Sequence, residues 1–255
     1  MSLILTPLPN IPIVQRGEDL IEIIFHGLTQ GNIILHDGDI LVVAQKIISK
    51  VEGRWVNLAL IQPSETTIEL ATKIEKDPRL VEIIIRESNQ VVRSRPGTII
   101  VEHRLGFICA NAGIDHSNVA GDGDKNEEWI LMLPENPDAS ASEIRKKLEE
   151  KSGAQLGVMI IDSHGRAWRE GVVGVVIGLS GMPGIVDMRG KSDLFGYKLK
   201  NTIIGAADEL AAAASLIMGQ ADEATPIVHV RGFPYPLRDG SLKELLRPKE
   251  QDLFR

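Results

Sequence analysis

The chain has 255 residues, 43% of them hydrophobic and without strong compositional bias, enough to bury a sizeable core as one large domain or two interleaved lobes. Its net charge of -7 argues against a broad nucleic-acid-binding surface, because neutralising phosphates needs clustered Lys and Arg, and leaves room for local basic patches that hold a small anionic ligand. Cys109 is the one cysteine, so no intrachain disulfide forms, and no apolar run approaches the roughly 20 residues that cross a bilayer. A cytoplasmic address without membrane attachment is expected.

Strand-like apolar runs alternate with amphipathic helices, which predicts a mixed α/β fold. Glu18 to Leu28 places Leu20, Ile23, Ile24 and Leu28 on one helical face, and Asp39 to Ala44 reads as a buried strand that delivers QKIISK. Helices are expected from Ser64 to Lys76 and from Pro78 to Val92, the second opening on a proline suited to a first turn. A strand follows near Thr98 to Val101. Ser140 and Glu143 have capping-box spacing ahead of a charged helix that stops at Gly153, and the one candidate internal boundary is the turn near residues 136–142. GVMIID and the run from Val172 are strands, Asn201 to Met218 is an Ala-rich helix ended by Gly219, and IVHV from Ile227 closes the pattern.

Several residues could carry chemistry. Asp162 and Ser163 follow the apolar run Val158 to Ile161, at the carboxyl end of a strand where α/β proteins expose functional groups. Hard cations such as magnesium take oxygen ligands and commonly one or two protein carboxylates. An Asp-Ser cap explains the pair equally well. NAGIDHSN packs Asp115, His116, Ser117 and Asn118 behind an Ala-Gly turn, either as an oxygen-rich site or as an ordinary Asx-turn. Lys46 and Lys50, four residues apart after a strand, suit phosphate oxygens or form a solvated basic face. Neither a P-loop nor a G-x-G-x-x-G fingerprint is present, nor a G-x-S-x-G elbow, nor zinc-type histidine spacing. Cys109 sits in an apolar context that suits a core thiol. DMRGKSDLFG reads as a loop for an anionic partner or another subunit, or as a solvated loop. Asp208 and Glu209, among small apolar residues, call for a pairing, capping or functional role.

Read together, PNIPIVQRGEDL, GDILVVAQKIISKVEGR, NAGIDHSN, GVMIIDSHGRAWREGVVGVVIG and RGKSDLFGYKLKNTIIGAADELAAAASLIMG cover most of the chain, and the sequence resembles the coenzyme F-420-0 gamma-glutamyl ligase family. The resemblance implies a single ligase-like domain over residues 1–255 in an intertwined homodimer. It also implies a GTP-dependent reaction that adds L-glutamate to a deazaflavin precursor through an acyl phosphate, with two magnesium or manganese ions and a monovalent cation such as potassium. Matched motif by motif, Asp115 and Asp162 bind one metal, Ser163 and Gln220 approach a second, and Lys50 joins the two carboxylates as a catalytic group. Ile11, Pro12, Ile13, Val14, Gln45, Lys46, Lys50, Asn118, Met218, Gly219, Gln220 and Ala221 line the nucleotide site. The loop GQADEATP departs from the family: Ala221 and Ala224 stand where glycine is expected and Gln220 where a carboxylate is usual. Two alternatives follow, a paralogue that glutamylates another carboxylate and a silent nucleotide- or coenzyme-binding protein.

Overall fold

The computed structural model describes residues 2–119 and 128–253. In chain order the elements are β1 (Ile4–Pro7), α1 (Leu20–Gln30), β2 (Ile40–Ala44), α2 (Gln45–Val51), β3 (Trp55–Asn57), α3 (Glu65–Ile74), α4 (Pro78–Arg86), β4 (Ser88–Arg95), β5 (Thr98–His103) and β6 (Ile108–Ala110). They continue with β7 (Trp129–Leu131), α5 (Pro137–Ser152), β8 (Gly157–Arg166), β9 (Arg169–Ser180), β10 (Val186–Asp187), β11 (Ile203–Ile204), α6 (Ala206–Met218) and β12 (Ile227–Arg231). The expected mixed α/β class is what forms.

A five-stranded sheet in the order β1-β12-β2-β8-β9 is the spine. Only β2 and β8 run parallel in it; the other neighbours are antiparallel. The unbroken apolar text of β2 follows from burial on both faces. Leu41 and Val43 pack with Ile24 and Leu28 of α1 and with Ile144 and Leu148 of α5, whereas Ile40 and Val42 pack with Leu210, Ala211 and Ala214 of α6. A separate apolar cluster joins α3 and α4 to the β4-β5-β6 sheet through Ile74, Val81, Ile84, Ile99 and Val101.

Local chemistry sets the boundaries. Asp19 caps α1 by accepting from the amides of Ile21 and Glu22. Three expectations are corrected. The helix from Pro78 ends at Arg86, because Ser88–Arg95 is a strand paired with β5. The charged helix starts at Pro137, capped by Asn136, whose side chain accepts from the Ala139 amide; Ser140 lies inside it and bonds back to the Asn136 carbonyl. The Ala-rich helix starts at Ala206, since Ile203 and Ile204 pair with Val186 and Asp187. Gly153 does end α5 in the left-handed conformation, with φ of 74°.

Close approach of α5 to β9 explains one glycine. A Cβ at Gly178 would lie 2.4 Å from the Pro137 carbonyl carbon and 2.4 Å from its Cβ. Gly178→Ala is therefore expected to cost about 1–3 kcal/mol as α5 is pushed off the sheet. The loss should appear as a lower urea midpoint with unchanged slope, and an unchanged midpoint would mean that the helix shifts freely.

No helix of the described residues is long and apolar enough to cross a membrane. The glycine-bounded segment around Asp187 pairs that residue with Arg189 and holds its tip by Asp193, which accepts from the amides of Phe195 and Tyr197. Leu194 and Phe195 are 98% and 95% exposed at that tip. Asp208 on α6 has a structural partner, the Val176 amide, which donates to it at 3.0 Å; burial raises its pKa.

Candidate functional site

The parallel pair β2 and β8 opens the site. Ala44 is the last residue of β2 and the cap of α2, so the chain turns from strand to helix without a loop and presents Gln45 and Lys46 at once. Ala44 lies opposite Ile161 of β8, and the next two residues there are Asp162 and Ser163. The register of two core strands thus brings a basic and an acidic segment to one edge, where open α/β sheets present ligand-binding groups.

Asp115 arrives from a strained loop. Asn111, Ala112 and Gly113 all have left-handed φ, at 52°, 53° and 65°. The two non-glycine residues each cost roughly 1–2 kcal/mol there. The loop is held because Ala112 is fully buried, and because Asp115 and Leu131 exchange backbone hydrogen bonds at 2.9 Å.

Polar contacts tie these segments together. Gln45 Nε2 donates to Asp115 Oδ2 at 2.6 Å, and the Ser49 hydroxyl donates to Gln45 Oε1 at 2.9 Å, which fixes the amide with its nitrogen toward the carboxylate. Lys46 Nζ lies 3.4 Å from Asp115 Oδ1 and donates to the Ser117 carbonyl and hydroxyl. Ser163 Oγ donates to Gln220 Oε1 at 2.9 Å, and Gln220 Nε2 donates to Ser215 Oγ at 3.0 Å. Asn118 Nδ2 donates to the Ala221 carbonyl at 3.0 Å. The structure therefore gathers Gln45, Lys46, Asp115, Asn118, Asp162, Ser163, Gln220 and Ala221 from four separate stretches of chain.

Charge is imperfectly balanced here. Burial pushes the Asp115 carboxyl up to about 6, with Lys46 opposing and the neighbouring Asp162 charge adding to the rise. Lys50 is lowered by burial and by Lys46 one helical turn away, and its ammonium lies 5.7 Å from the centre of the Trp55 ring. Cys109 is buried, and its thiol is pushed up to about 12 by burial and by Asp162, so it is a core thiol and no nucleophile.

Other expected residues face elsewhere. Val14 is 2% exposed and Ile11 packs against the same core, whereas Ile13 is 79% exposed, leaving backbone, Pro12 and Ile13 open to a ligand. Met218 is a core residue beneath the loop that Gly219 opens with φ of 73°. Ala224 holds a left-handed φ of 54°, the shape that glycine suits, and the Glu223 carboxylate folds back to accept from the Ala221 amide. Sequence reasoning passed over Ser49, Ser215 and His164. The signal for His164 was present, since residues i and i+2 of a strand share a face and Asp162 precedes it by two.

Among the described residues no three His, Cys, Asp or Glu side chains cluster as metal ligands. The donors that do converge are two carboxylates, a hydroxyl and an amide carbonyl, all oxygens. That set fits magnesium or manganese, which leave several positions to phosphate and water, and a cation would offset the burial and the Asp162 charge that raise Asp115. Strained backbone of this kind clusters at active sites and ligand clamps. The F420-0:Gamma-glutamyl ligase family model matches residues 9–232, and the chain belongs to that family of amide-forming ligases. It is 46% identical to the coenzyme F420:L-glutamate ligase of Methanothermobacter thermautotrophicus over 257 residues, 100% of each chain. Identity to the enzyme of that name from Methanococcus maripaludis strain C6 is 48% over 221 residues, 87% of this chain and 86% of that one. To that from Methanopyrus kandleri it is 45% over 258 residues, 100% and 98%.

Proposed function

We propose that the chain joins L-glutamate to a deazaflavin coenzyme precursor in the cytoplasm, at the expense of GTP, with divalent metal and as a homodimer. The observation that carries this reading is the convergence of Asp115 and Asp162 beside Lys46 and Gln45 in a chain whose relatives, end to end, bear that ligase name. A carboxylate oxygen of the precursor attacks the γ-phosphorus and GDP leaves. The glutamate amine then attacks the acyl carbon, phosphate departs, and the nitrogen loses a proton to give the amide. Divalent cations, when bound, offset charge between the phosphoryl group and its acceptor.

The chain's own residues prepare that chemistry. Asp115 and Asp162 hold the first cation, with Ser163 and Gln220 toward a second. Gln45 fixes the orientation of Asp115, and Lys46 and Lys50 present positive charge to phosphate oxygens. Asn118 and the loop of Gly219, Gln220 and Ala221 close over the nucleotide from the other side, with residues 11–14 contributing backbone. The exposed Leu194 and Phe195 tip is the segment we assign to the partner subunit.

Lys50→Ala should weaken GTP binding at least about tenfold, the worth of one charge-assisted contact, with little change in fold. Titration with GTP by calorimetry checks this, and unchanged affinity would make Lys50 a solvated basic residue. For the reaction, protein with GTP, manganese, L-glutamate and the precursor should yield the glutamylated product by mass spectrometry, with matching phosphate release. Phosphate without that product would overturn the assignment of substrate.

A further inference from the structure

We propose that His164 is a positioning residue that orients the Asp162 carboxylate for cation binding. This rests on the reading that Asp115 and Asp162 hold a divalent cation. His164 Nε2 and Asp162 Oδ2 lie 3.0 Å apart, and both side chains are largely shielded, at 10% and 13% exposure. A carboxylate beside a ring nitrogen at that distance selects the tautomer with its proton on Nε2. One lone pair of Oδ2 is thereby taken and the carboxylate plane is set, with Oδ1 the less engaged oxygen toward a cation.

The imidazole is itself held. Its ring packs at a tilt of 48° against Phe107, with centroids 5.2 Å apart, and Phe107 stacks flat on His103 at 5.0 Å. His103 is fully buried, so the Phe107 face rests on packed core. On β8, His164 lies opposite Val173 of β9. A ring set by a packed aromatic tier and a strand ladder cannot follow a wandering carboxylate; it fixes one. Partners behind a metal ligand typically contribute 10–100-fold in metal affinity.

The test is manganese titration, followed by electron paramagnetic resonance, of the wild type, Asp162→Asn, His164→Phe and His164→Gln. His164→Phe keeps an aromatic ring against Phe107 but has no N–H. It is expected to bind manganese about tenfold more weakly, with an unchanged urea midpoint, a raised KM for manganese and kcat at saturating metal within a few-fold. His164→Gln, whose amide reaches a similar point, should recover most of the affinity. Should the Phe variant fail to fold, His164→Asn, too short to reach Oδ2, is expected to show the same loss. Wild-type affinity in His164→Phe or His164→Asn, with binding lost in Asp162→Asn, would overturn the positioning role alone. Absence of manganese binding in the wild type would overturn the metal reading and this inference with it.

Discussion

Asp162→Asn and Asp115→Asn are each expected to lower turnover by at least about a hundredfold while the protein stays folded, because each removes a charge from the cation site and no packing from the core. For Asp115 the stability change should go the other way. Its carboxyl is raised from 3.8 to about 6, chiefly by burial, so ionising it in the folded metal-free protein is unfavourable. A raised acid destabilises the fold fully above its folded pKa and not at all below its unfolded one. The penalty is therefore present above about pH 6, disappears toward pH 4, and amounts to about 3 kcal/mol at most. Metal-free Asp115→Asn should melt higher than the wild type at pH 7, and the gap should close near pH 4. A wild-type rate in either variant would remove the carboxylate pair from the mechanism.

Asp39→Ala should be strongly destabilising while leaving the site's chemistry in place. Asp39 is 2% exposed and accepts from Arg231 Nη2 at 2.6 Å, from Arg231 Nε at 2.9 Å, from His229 Nε2 at 2.8 Å and from the His36 amide at 2.9 Å. Burial works against its charge, but Arg231 and His229 prevail and hold its carboxyl below 3.8. Breaking a buried pair from one side costs about 3–5 kcal/mol. Because Arg231 is 38% exposed and can rehydrate, the lower half of that range is expected. A lowered acid stabilises above its unfolded pKa, so the contribution should fade as pH falls below about 4 and through the lower folded value. Asp39 precedes β2 and Gln45 follows it, so the two lie about 20 Å apart along the strand, and kcat of the folded variant should stay near wild type. A urea midpoint within error of the wild type would show that the cluster contributes nothing net.

The amino-acid sequence records some of these features and not others. The two-sided apolar text of β2 and the run into Asp162 identified the strands that carry the site, since burial on both faces leaves an unbroken signature. Gly153 as a helix stop was equally readable. The end of α4 was not, because Ser88–Arg95 is largely exposed and lacks the apolar alternation that marks a half-buried strand. The start of α6 was misread because Ile203 and Ile204 continue an apolar pattern yet are claimed by a two-residue pairing with β10.

For the site, Asp162, Ser163, Asp115 and Asn118 each read equally well as cap or turn residues, and the strand end expected at Asp162 is not there, because β8 continues to Arg166 in pairing with β9. What brings Asp115 to Asp162 is a tertiary event, the left-handed run Asn111 to Gly113 locked by the exchange with Leu131. No local period records that. The alanine at position 224, where glycine was expected, holds a left-handed φ of 54° that glycine would adopt more freely.

We propose that this site activates a carboxylate by phosphoryl transfer before the amide forms. The most direct measurement labels the precursor's carboxylate with oxygen-18, runs the reaction with GTP, manganese and L-glutamate, and weighs the released phosphate by mass spectrometry. The account predicts that a labelled oxygen passes from carboxylate to phosphate in step with glutamylated product. Product formed with unlabelled phosphate would contradict it.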